Sequence, residues 1–303
     1  MIYILSLNPS IDYHMLVEDF SFGKTNRSLE ESMYVGGKGI NVASVLSELG
    51  SGSTLLGFVG GFTGKQINEH IAKITNIDNM MIETDVASRT NVKLKGKFET
   101  EINAKGELIK PLYIDKIEAQ LNNLNKGDVL VITGSLANGM DLDWYTQVSK
   151  KMYEKGVYTV VDIASKELLD ICQYRPLLVK PNINELESFF DVEIKDREDV
   201  LIYAHKLIDK GAHSVLVSRG GEGSILVTSD RDYETKIPQG TVINTVGSGD
   251  SMVAGFIYSY TLNRDIKKAY KMAAAAGSAT AYSKHLGSKK LIYELYDKIV
   301  IGE

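Results

Sequence analysis

The sequence predicts a doubly wound α/β protein in which helices cover both faces of a parallel sheet. Two observations lead to this prediction: short apolar runs rich in Val, Ile and Leu recur along the chain, and segments with helical periodicity separate them. Strands buried on both faces read as continuous apolar runs, and helices are the usual crossovers between parallel strands. These crossovers should be right-handed. Because 303 residues can form one core, we expect a single domain over 1–303.

The strands of the predicted sheet are the apolar runs at 2–7, 54–59, 128–133, 157–162, 177–180 and 214–218. Their short lengths and their Val and Ile content favour strands over buried helices. The predicted helices between them are the amphipathic stretches at 40–49, 142–153 and 199–210. This alternation of strand and helix continues through most of the chain.

One segment departs from this alternation, because apolar and polar residues follow each other with period two from Asn91 to Phe98. The pattern predicts a half-exposed antiparallel strand. Weaker strand signals lie at 100–103, 13–17 and 31–35. Together they predict a small β-sheet lid that is formed by two insertions, approximately 12–35 and 88–110. An edge hairpin without a functional role is the alternative.

Composition and charge exclude several classes of protein. The net charge of −5 argues against a general nucleic-acid binder or a membrane-surface binder. Cys172 is the only cysteine, so no intrachain disulfide can form. The first five residues read as a strand and lack the basic region of a signal peptide, and no run approaches the roughly 18 apolar residues of a membrane span. We expect a soluble, cytoplasmic protein.

The strongest local signal is a glycine turn that opens a helix. Gly247, Ser248, Gly249 and Asp250, followed by Ser251, precede the helical run at 252–260. Glycine allows close backbone approaches that a Cβ would obstruct, and the amides of the turn can converge with the helix N-terminus on an anion. A carboxylate at this place suits a general base. For the tetrapeptide alone, an ordinary helix cap is the more common interpretation.

A second glycine turn, at 36–39, precedes the predicted helix at 40–49. Its close backbone approach, with Lys38 and Asn41, can bind sugar hydroxyls and a phosphate. The turn is not a P-loop, whose lysine is followed by Ser or Thr. Residues 60–66 also fail this pattern, because the lysine there is followed by Gln. We therefore exclude a P-loop nucleotide site.

Taken together, the two glycine turns resemble those of the ribokinase-like (phosphofructokinase-B) family of carbohydrate kinases. Three further blocks are similar to the family and occur in its order: Leu7-Asn8-Pro9-Ser10-Ile11-Asp12, Lys180-Pro181-Asn182-Ile183-Asn184-Glu185 and Ser218-Arg219-Gly220-Gly221-Glu222-Gly223. The resemblance covers nearly the whole chain. It implies a ribokinase-like core, ATP as the phosphoryl donor and Mg²⁺ as the metal ion.

The resemblance also assigns roles to individual residues. Asp250 would be the catalytic base, and the anion hole would consist of Gly247, Ser248 and Gly249. The implied sugar ligands are Asp12, Arg27, Gly36, Gly37, Lys38, Asn41, Arg89, Asn91, Asn103 and Ser135. The implied ATP site is lined by Lys180, Asn182, Glu185, Ser218, Gly220, Gly223, Thr245, Ala276 and Ser278. The Mg²⁺ ion would lie near Asn182 and Glu185, held through water molecules.

The identity of the sugar depends on the predicted lid. Arg89 can bind a phosphate through two hydrogen bonds, with Arg27 and Lys38 as further cations, although a solvated arginine at a strand end is the alternative. The stretch 89–103 looks most like that of bacterial 1-phosphofructokinases, which implies conversion of fructose 1-phosphate to fructose 1,6-bisphosphate. Tagatose-6-phosphate kinases are the next most similar. A ketofuranose has two exocyclic arms, so one site could serve either sugar.

Two further expectations concern other classes of function and assembly. A non-catalytic sugar-phosphate sensor is the alternative from a different class, but its signature would be loss of Asp250 or of the neighbouring glycines. Both are present. The predicted partners are therefore a small sugar phosphate and ATP, with no nucleic acid and no membrane. We also expect a homodimer through the lid, because an exposed flat sheet needs covering.

Overall fold

The structure is a computed structural model that describes residues 1–302. Its strands are β1 (Ile2–Ser6), β2 (Ser10–Leu16), β3 (Glu30–Gly36), β4 (Ser53–Gly60), β5 (Ile77–Asn79), β6 (Ile82–Thr84), β7 (Arg89–Lys95), β8 (Thr100–Ile102), β9 (Val129–Thr133), β10 (Tyr158–Asp162), β11 (Leu178–Val179), β12 (Ser214–Ser218), β13 (Ser224–Thr228) and β14 (Asp232–Thr235). Its helices are α1 (Lys38–Leu49), α2 (Gly61–Ile71), α3 (Pro111–Asn122), α4 (Trp144–Lys155), α5 (Leu168–Ile171), α6 (Ile183–Phe190), α7 (Arg197–Asp209), α8 (Ser248–Asn263), α9 (Ile266–Ala281) and α10 (Lys289–Lys298).

The large sheet confirms the predicted fold class. Its strand order is β14-β13-β12-β11-β10-β9-β1-β4-β5, and β6 pairs with β4. The strands from β12 to β5 run parallel, whereas β13 and β14 form an antiparallel edge. The chain leaves β1 towards β4 and later returns on the other side through β9. The strand order therefore reverses between β1 and β9, which is where open α/β sheets bind ligands.

Helices cover both faces of this sheet, as the apolar runs predicted. One hydrophobic cluster joins the sheet to α1, α2, α8, α9 and α10, and the other joins it to α3, α4, α5, α6 and α7. Side chains alternate between the two faces, so Ile4 of β1 packs in the first cluster and its neighbour Leu5 packs in the second. No helix within residues 1–302 is long and apolar enough to cross a membrane.

A second, four-stranded sheet has the order β3-β2-β7-β8, and we call it the small sheet. It contains the strand signals of the predicted lid, but one pairing differs from the prediction. The strand β7 runs antiparallel to β8 and parallel to β2. The physical reason is the long connection between β2 and β7, which passes through the large sheet and returns in the same direction. A short hairpin, by contrast, would force an antiparallel pair.

Candidate active site

The carboxyl ends of β1, β9, β10 and β11 meet the starts of α1 and α8 at the point where the strand order reverses. Each strand delivers a polar residue at or just after its end, including Asp162 from β10 and Lys180 from the segment after β11. The next strand in the chain after β1 is β2, which belongs to the small sheet and contributes to its polar face. We therefore describe this cleft as the candidate active site.

The glycine turn before α8 has the geometry that the sequence predicts. Gly247 adopts φ 81°, a left-handed conformation that favours glycine, and an added Cβ would lie 2.8 Å from the Leu286 Cδ2 atom. One donor differs from the prediction, because the Ser248 amide donates to the Thr245 carbonyl at 3.2 Å. The next amides belong to the first turn of α8, where helical geometry supplies no acceptor. These amides and the positive helix end favour an anion.

Asp250 lies in this first turn and is only 6% exposed. Its Oδ2 atom accepts a hydrogen bond from Asn41 Nδ2 at 2.8 Å. Burial, reinforced by the negative charge of Asp162, raises the pKa of Asp250 to about 6, although Lys38 and Asn41 act in the opposite direction. A carboxylate with this pKa is charged at pH 7 and can still accept a proton.

A triad of charges lies beside Asp250, in which Asp162 and Lys180 are buried and Lys38 is half-buried. The Oδ1 atom of Asp162 is 3.2 Å from the Nζ atoms of both Lys38 and Lys180, and Asp162 is fully buried. Burial alone would raise the pKa of Asp162, but the two ammonium groups hold it below its usual range. The Lys180 ammonium also lies against the glycine turn, since an added Cβ on Gly249 would be 3.0 Å from its Nζ atom.

Asp162 is the residue of this site that the sequence prediction missed. The prediction treated it only as the last residue of the strand at 157–162. A signal was nevertheless present, because an acidic side chain ends the apolar run Val160-Val161 at the carboxyl end of a buried parallel strand. Buried carboxylates at such ends usually need a cation or a ligand.

The polar face of the small sheet brings three predicted sugar ligands together. Asn91 Nδ2 donates to Asp12 Oδ1 at 2.8 Å, and Ser10 Oγ donates to the same oxygen at 2.7 Å. An added Cβ on Gly36 would lie 2.4 Å from Asp12 Oδ2, so only glycine leaves room for this carboxylate. The result is an oriented carboxylate whose remaining lone pairs are available to hydroxyl groups.

Arg89 begins β7 and points its guanidinium group between two loops. Its Nε atom donates to the Asn8 carbonyl at 3.0 Å, and Nη1 donates to the Ala104 carbonyl at 2.9 Å. Burial lowers the pKa of Arg89, an effect that Asp12 partly opposes. Within residues 1–302, no carboxylate forms an ion pair with it. A half-buried cation of this kind is suited to an anionic ligand.

The other predicted sugar ligands lie further apart. Arg27 is exposed in the connection between β2 and β3, and Ser135 is exposed in the loop after β9, where its Oγ atom lies 3.4 Å from Asn8 Nδ2. Asn103 accepts a hydrogen bond from Lys93 Nζ at 3.0 Å and is exposed on the small sheet. Gly37 precedes α1 with φ 130°.

On the predicted nucleotide side, Asn182 and Glu185 form a capping box at the start of α6. The Glu185 amide donates to Asn182 Oδ1 at 2.8 Å, and the Asn182 amide donates to Glu185 Oε2 at 2.9 Å. Within residues 1–302, no group of three or more His, Cys, Asp or Glu side chains could hold a metal ion. Amide and carboxylate oxygens suit a Mg²⁺ ion that keeps several waters, but one oxygen of each side chain is already engaged in the helix cap.

The remaining predicted nucleotide residues surround this helix start. Ser218 forms a parallel bridge with Asn182, and the nearby glycines have positive φ angles of 56° at Gly220 and 89° at Gly223. Thr245 is exposed, and Ser278 is buried on α9. Ala276 is fully buried, and an added Cβ on Gly255 of α8 would lie 3.0 Å from its Cβ atom. In this structure Ala276 packs between α8 and α9, and its place in the ATP site stays a prediction.

The chain is similar to known proteins in both sequence and structure. The model of the pfkB family of carbohydrate kinases matches residues 3–290. The chain belongs to this family. The 1-phosphofructokinase of Bacillus subtilis is 37% identical over 301 residues, which cover 99% of either protein. A D-tagatose-1-phosphate kinase of Bacillus licheniformis is 33% identical over 302 residues, again 99% of each. The solved structure of Escherichia coli phosphofructokinase-2 in complex with substrates and products superposes with a TM-score of 0.89, 28% identity and 98% coverage of both chains.

In this pfkB kinase, the fold thus brings the two glycine turns into one cleft although they are far apart in sequence. The hydrogen bond between Asn41 and Asp250 joins residues that are 209 positions apart. A buried carboxylate, helix amides and two ammonium groups together can remove a proton from a hydroxyl group and stabilise an adjacent phosphoryl group.

Proposed function

We propose that this pfkB kinase transfers the γ-phosphoryl group of ATP to the free hydroxymethyl group of a ketohexose phosphate, with fructose 1-phosphate as the first candidate. The single observation that carries the proposal is the buried Asp250 carboxylate at the N-terminus of α8, held by Asn41. Its place beside anion-binding amides matches the chemistry of phosphoryl transfer to an alcohol. The similarity to the B. subtilis 1-phosphofructokinase supports the choice of sugar.

Asp250 is the proposed catalytic base. Asn41 binds one of its oxygens and so orients the carboxylate, which leaves the other oxygen for the sugar hydroxyl group. Deprotonation by a positioned base typically contributes a factor of about 10² to 10⁴ to the rate. The proton moves from the hydroxyl group to Asp250 while the oxygen attacks the γ-phosphorus and ADP leaves.

The rate should therefore fall in acid as Asp250 takes up a proton. Since burial raises its pKa to about 6, we expect log(kcat/KM) to fall below pH 6 with unit slope. An ordinary aspartate would cause this fall only near pH 4. Because a phosphate monoester also titrates near pH 6, the profile is repeated with Asn41→Ala. Asn41 lowers the pKa of Asp250, so its loss should move the fall to higher pH; an unmoved profile would assign the titration to the sugar phosphate.

The proposed anion hole consists of the amides of the glycine turn, with Lys38 and Lys180 as neighbouring cations. The negative charge that develops on the transferring group would meet donors that are already oriented. Asp162 keeps the two ammonium groups on one carboxylate oxygen. When bound, Mg²⁺ would neutralise charge on the phosphate oxygens, and Asn182 and Glu185 would hold it through water.

The proposed sugar site lies on the polar face of the small sheet. Asp12 and Asn91 would bind sugar hydroxyls beside Gly36 and Gly37, and Arg89 would bind the phosphate. Further proposed contacts come from Arg27, Ser135 and Asn103. The proposed ATP contacts are those of Ser218, Gly220, Gly223, Thr245, Ala276 and Ser278, in addition to Lys180.

The function is tested by measuring ADP release with fructose 1-phosphate, tagatose 1-phosphate, tagatose 6-phosphate and fructose 6-phosphate. The proposal expects the highest kcat/KM with fructose 1-phosphate. Tagatose 1-phosphate is its epimer at one ring carbon and carries the phosphate on the same arm, so it is the sharpest competitor. Preference for tagatose 6-phosphate would show that the site binds the phosphate on the other exocyclic arm of the sugar. Binding without ADP release from any sugar would favour the sensor.

Replacing Arg89 should weaken sugar-phosphate binding selectively. A hydrogen bond to a charged group contributes about 1.5–3 kcal/mol, so we expect Arg89→Met to raise the KM of the sugar phosphate about 10- to 100-fold. The KM of ATP should change little. The matched control is Lys95→Met, which removes an exposed cation from the other end of β7. Equal effects of both variants would show that only net charge matters.

We also propose that a second copy of the chain covers the outer face of the small sheet. Cross-strand register places four apolar side chains in a row on this face: Tyr13, Met33, Val92 and Ile102. Met33 is 57% exposed and Ile102 is 58% exposed. We expect light scattering to report a dimer that Met33→Asp converts to monomer. Leu142→Asp changes an equally apolar, 85% exposed residue elsewhere and should leave the dimer intact. A monomeric parent protein would contradict the proposal.

A further inference from the structure

Three aromatic rings connect the small sheet to the loop that follows α9. The rings of His14 and Tyr34 meet edge to face with centroids 5.0 Å apart. The ring of Tyr34 then contacts that of His285, with centroids 5.8 Å apart and an angle of 54° between the planes. Two strands of the small sheet are thus joined to a segment that is more than two hundred residues away in sequence. We call these three residues the aromatic bridge.

Two members of the aromatic bridge, Tyr34 and His285, lie next to groups of the active site. Tyr34 is the direct cross-strand partner of Asp12. His285 is followed by Leu286, whose Cδ2 atom would lie 2.8 Å from an added Cβ on Gly247. The same loop also accepts a hydrogen bond, from Asn244 Nδ2 to the Lys284 carbonyl at 3.3 Å. The loop at 283–287 therefore contacts the small sheet on one side and the glycine turn on the other.

We propose that Tyr34 and His285 are positioning residues that align the sugar held by the small sheet with the glycine turn that holds the phosphoryl group. This inference rests on the proposed function, and neither residue is assigned a contact with a reacting atom. The physical reason is geometric. The attacking hydroxyl group and the phosphoryl group are bound by different parts of the fold, and small displacements between reactants lower the rate strongly.

The contacts within the aromatic bridge depend on ring packing more than on charge. Burial and the neighbouring Lys95 lower the pKa of His14, while Asp12 and Glu99 oppose this effect and Lys93 reinforces it, which favours the neutral ring. An edge-to-face ring pair is stabilised by the quadrupoles of the rings and by the apolar area that they bury. A phenylalanine at either Tyr34 or His285 keeps a ring and should preserve the alignment, whereas alanine removes it.

The first test is a double-mutant cycle measured by kcat/KM for the sugar phosphate. We expect Tyr34→Ala and His285→Ala each to lower it about 3- to 10-fold, the range of one aromatic pair, and the double variant to lose no more than either single variant. Tyr34→Phe and His285→Phe should retain activity near that of the parent. His205→Ala, on the distant surface of α7, is the control. Additive losses, or phenylalanine variants as impaired as the alanine variants, would overturn the proposal.

The second test does not require catalysis. Cys172 is the only cysteine and is buried, so cysteines introduced as Tyr34→Cys and His285→Cys are the reactive thiols of the double variant. A short bis-maleimide should cross-link them within one chain, and sugar phosphate with ADP should accelerate the reaction. A cross-link that fails to form, or a rate that ligands leave unchanged, would overturn the aromatic bridge as an aligning contact. A parent protein without kinase activity would instead refute the proposed function, and the cross-link distinguishes the two failures.

Discussion

Asp250→Asn is expected to lower kcat by about 10²- to 10⁴-fold, because asparagine cannot accept the proton of the sugar hydroxyl group. The substitution keeps the shape of the side chain, so the KM values of both substrates should stay within a small factor of the parent. Steady-state assays with fructose 1-phosphate and ATP measure both quantities. The matched control is Asp128→Asn, which changes a buried aspartate at the amino end of the sheet, where it pairs with the Met1 amino group.

The same substitution should lower activity without lowering the stability of the protein. Burial raises the pKa of Asp250 to about 6, so above that pH the folded protein contains a carboxylate that would be better solvated in the unfolded chain. This cost is present at pH 7 and disappears as the pH falls through 6 towards the unfolded value near 4. Asp250→Asn removes the charge, and its melting temperature at pH 7 should equal or exceed that of the parent.

These two measurements separate a catalytic role from a structural one. A helix cap or a structural carboxylate would lose stability when replaced, and its loss of activity would follow from unfolding. If Asp250 is instead a catalytic base whose burial costs solvation energy, its replacement would lower the activity of the protein and raise its stability. Near-parental kcat in Asp250→Asn would refute the proposed mechanism, whatever its melting temperature.

The core of the fold could be predicted because its sequence signal is local. Val160 and Val161 are apolar in a short run, and a strand that is buried on both faces needs nothing else to be recognised. The direction of β7 could not be predicted in this way, since period two in Asn91 and its neighbours shows a strand but not its partner. Pairing of β7 with β2 is decided by how the chain returns from the large sheet, which is a tertiary property.

In the active site, too, features with a local sequence signal could be predicted, and features that depend on tertiary contacts could not. Gly247 and Asp250 are only three residues apart in sequence, so the turn and its carboxylate could be recognised together. For Asp162 the local signal indicates only a carboxylate at a strand end, because its role comes from Lys38 and Lys180, which reach it from other elements. For Asn182 and Glu185 the sequence signal is local, but it fits two different roles. Their spacing is that of a capping box as well as of a family motif, and the structure contains the box.

Asp162→Asn is expected to destabilise the protein strongly. The Lys180 and Asp162 side chains are 5% and 1% exposed, so the substitution leaves a buried ammonium group without its counter-charge. Breaking a buried pair in this way costs about 3–5 kcal/mol of unfolding free energy. Activity should fall as well, by about 10²-fold, because the ammonium groups near the phosphoryl group lose their common anchor. Urea unfolding and steady-state kinetics measure the two effects.

A double variant separates the contribution of the charges to stability from their contribution to catalysis. Asp162→Asn combined with Lys180→Met removes both members of the most buried pair, and replacing a buried ion pair as a whole is often neutral for stability. We therefore expect the double variant to recover most of the lost unfolding free energy. Its kcat should remain low, since the cation beside Gly249 is absent. Recovery of both stability and kcat would show that the triad serves folding alone, and recovery of neither would show that Lys38 cannot be accommodated without Asp162.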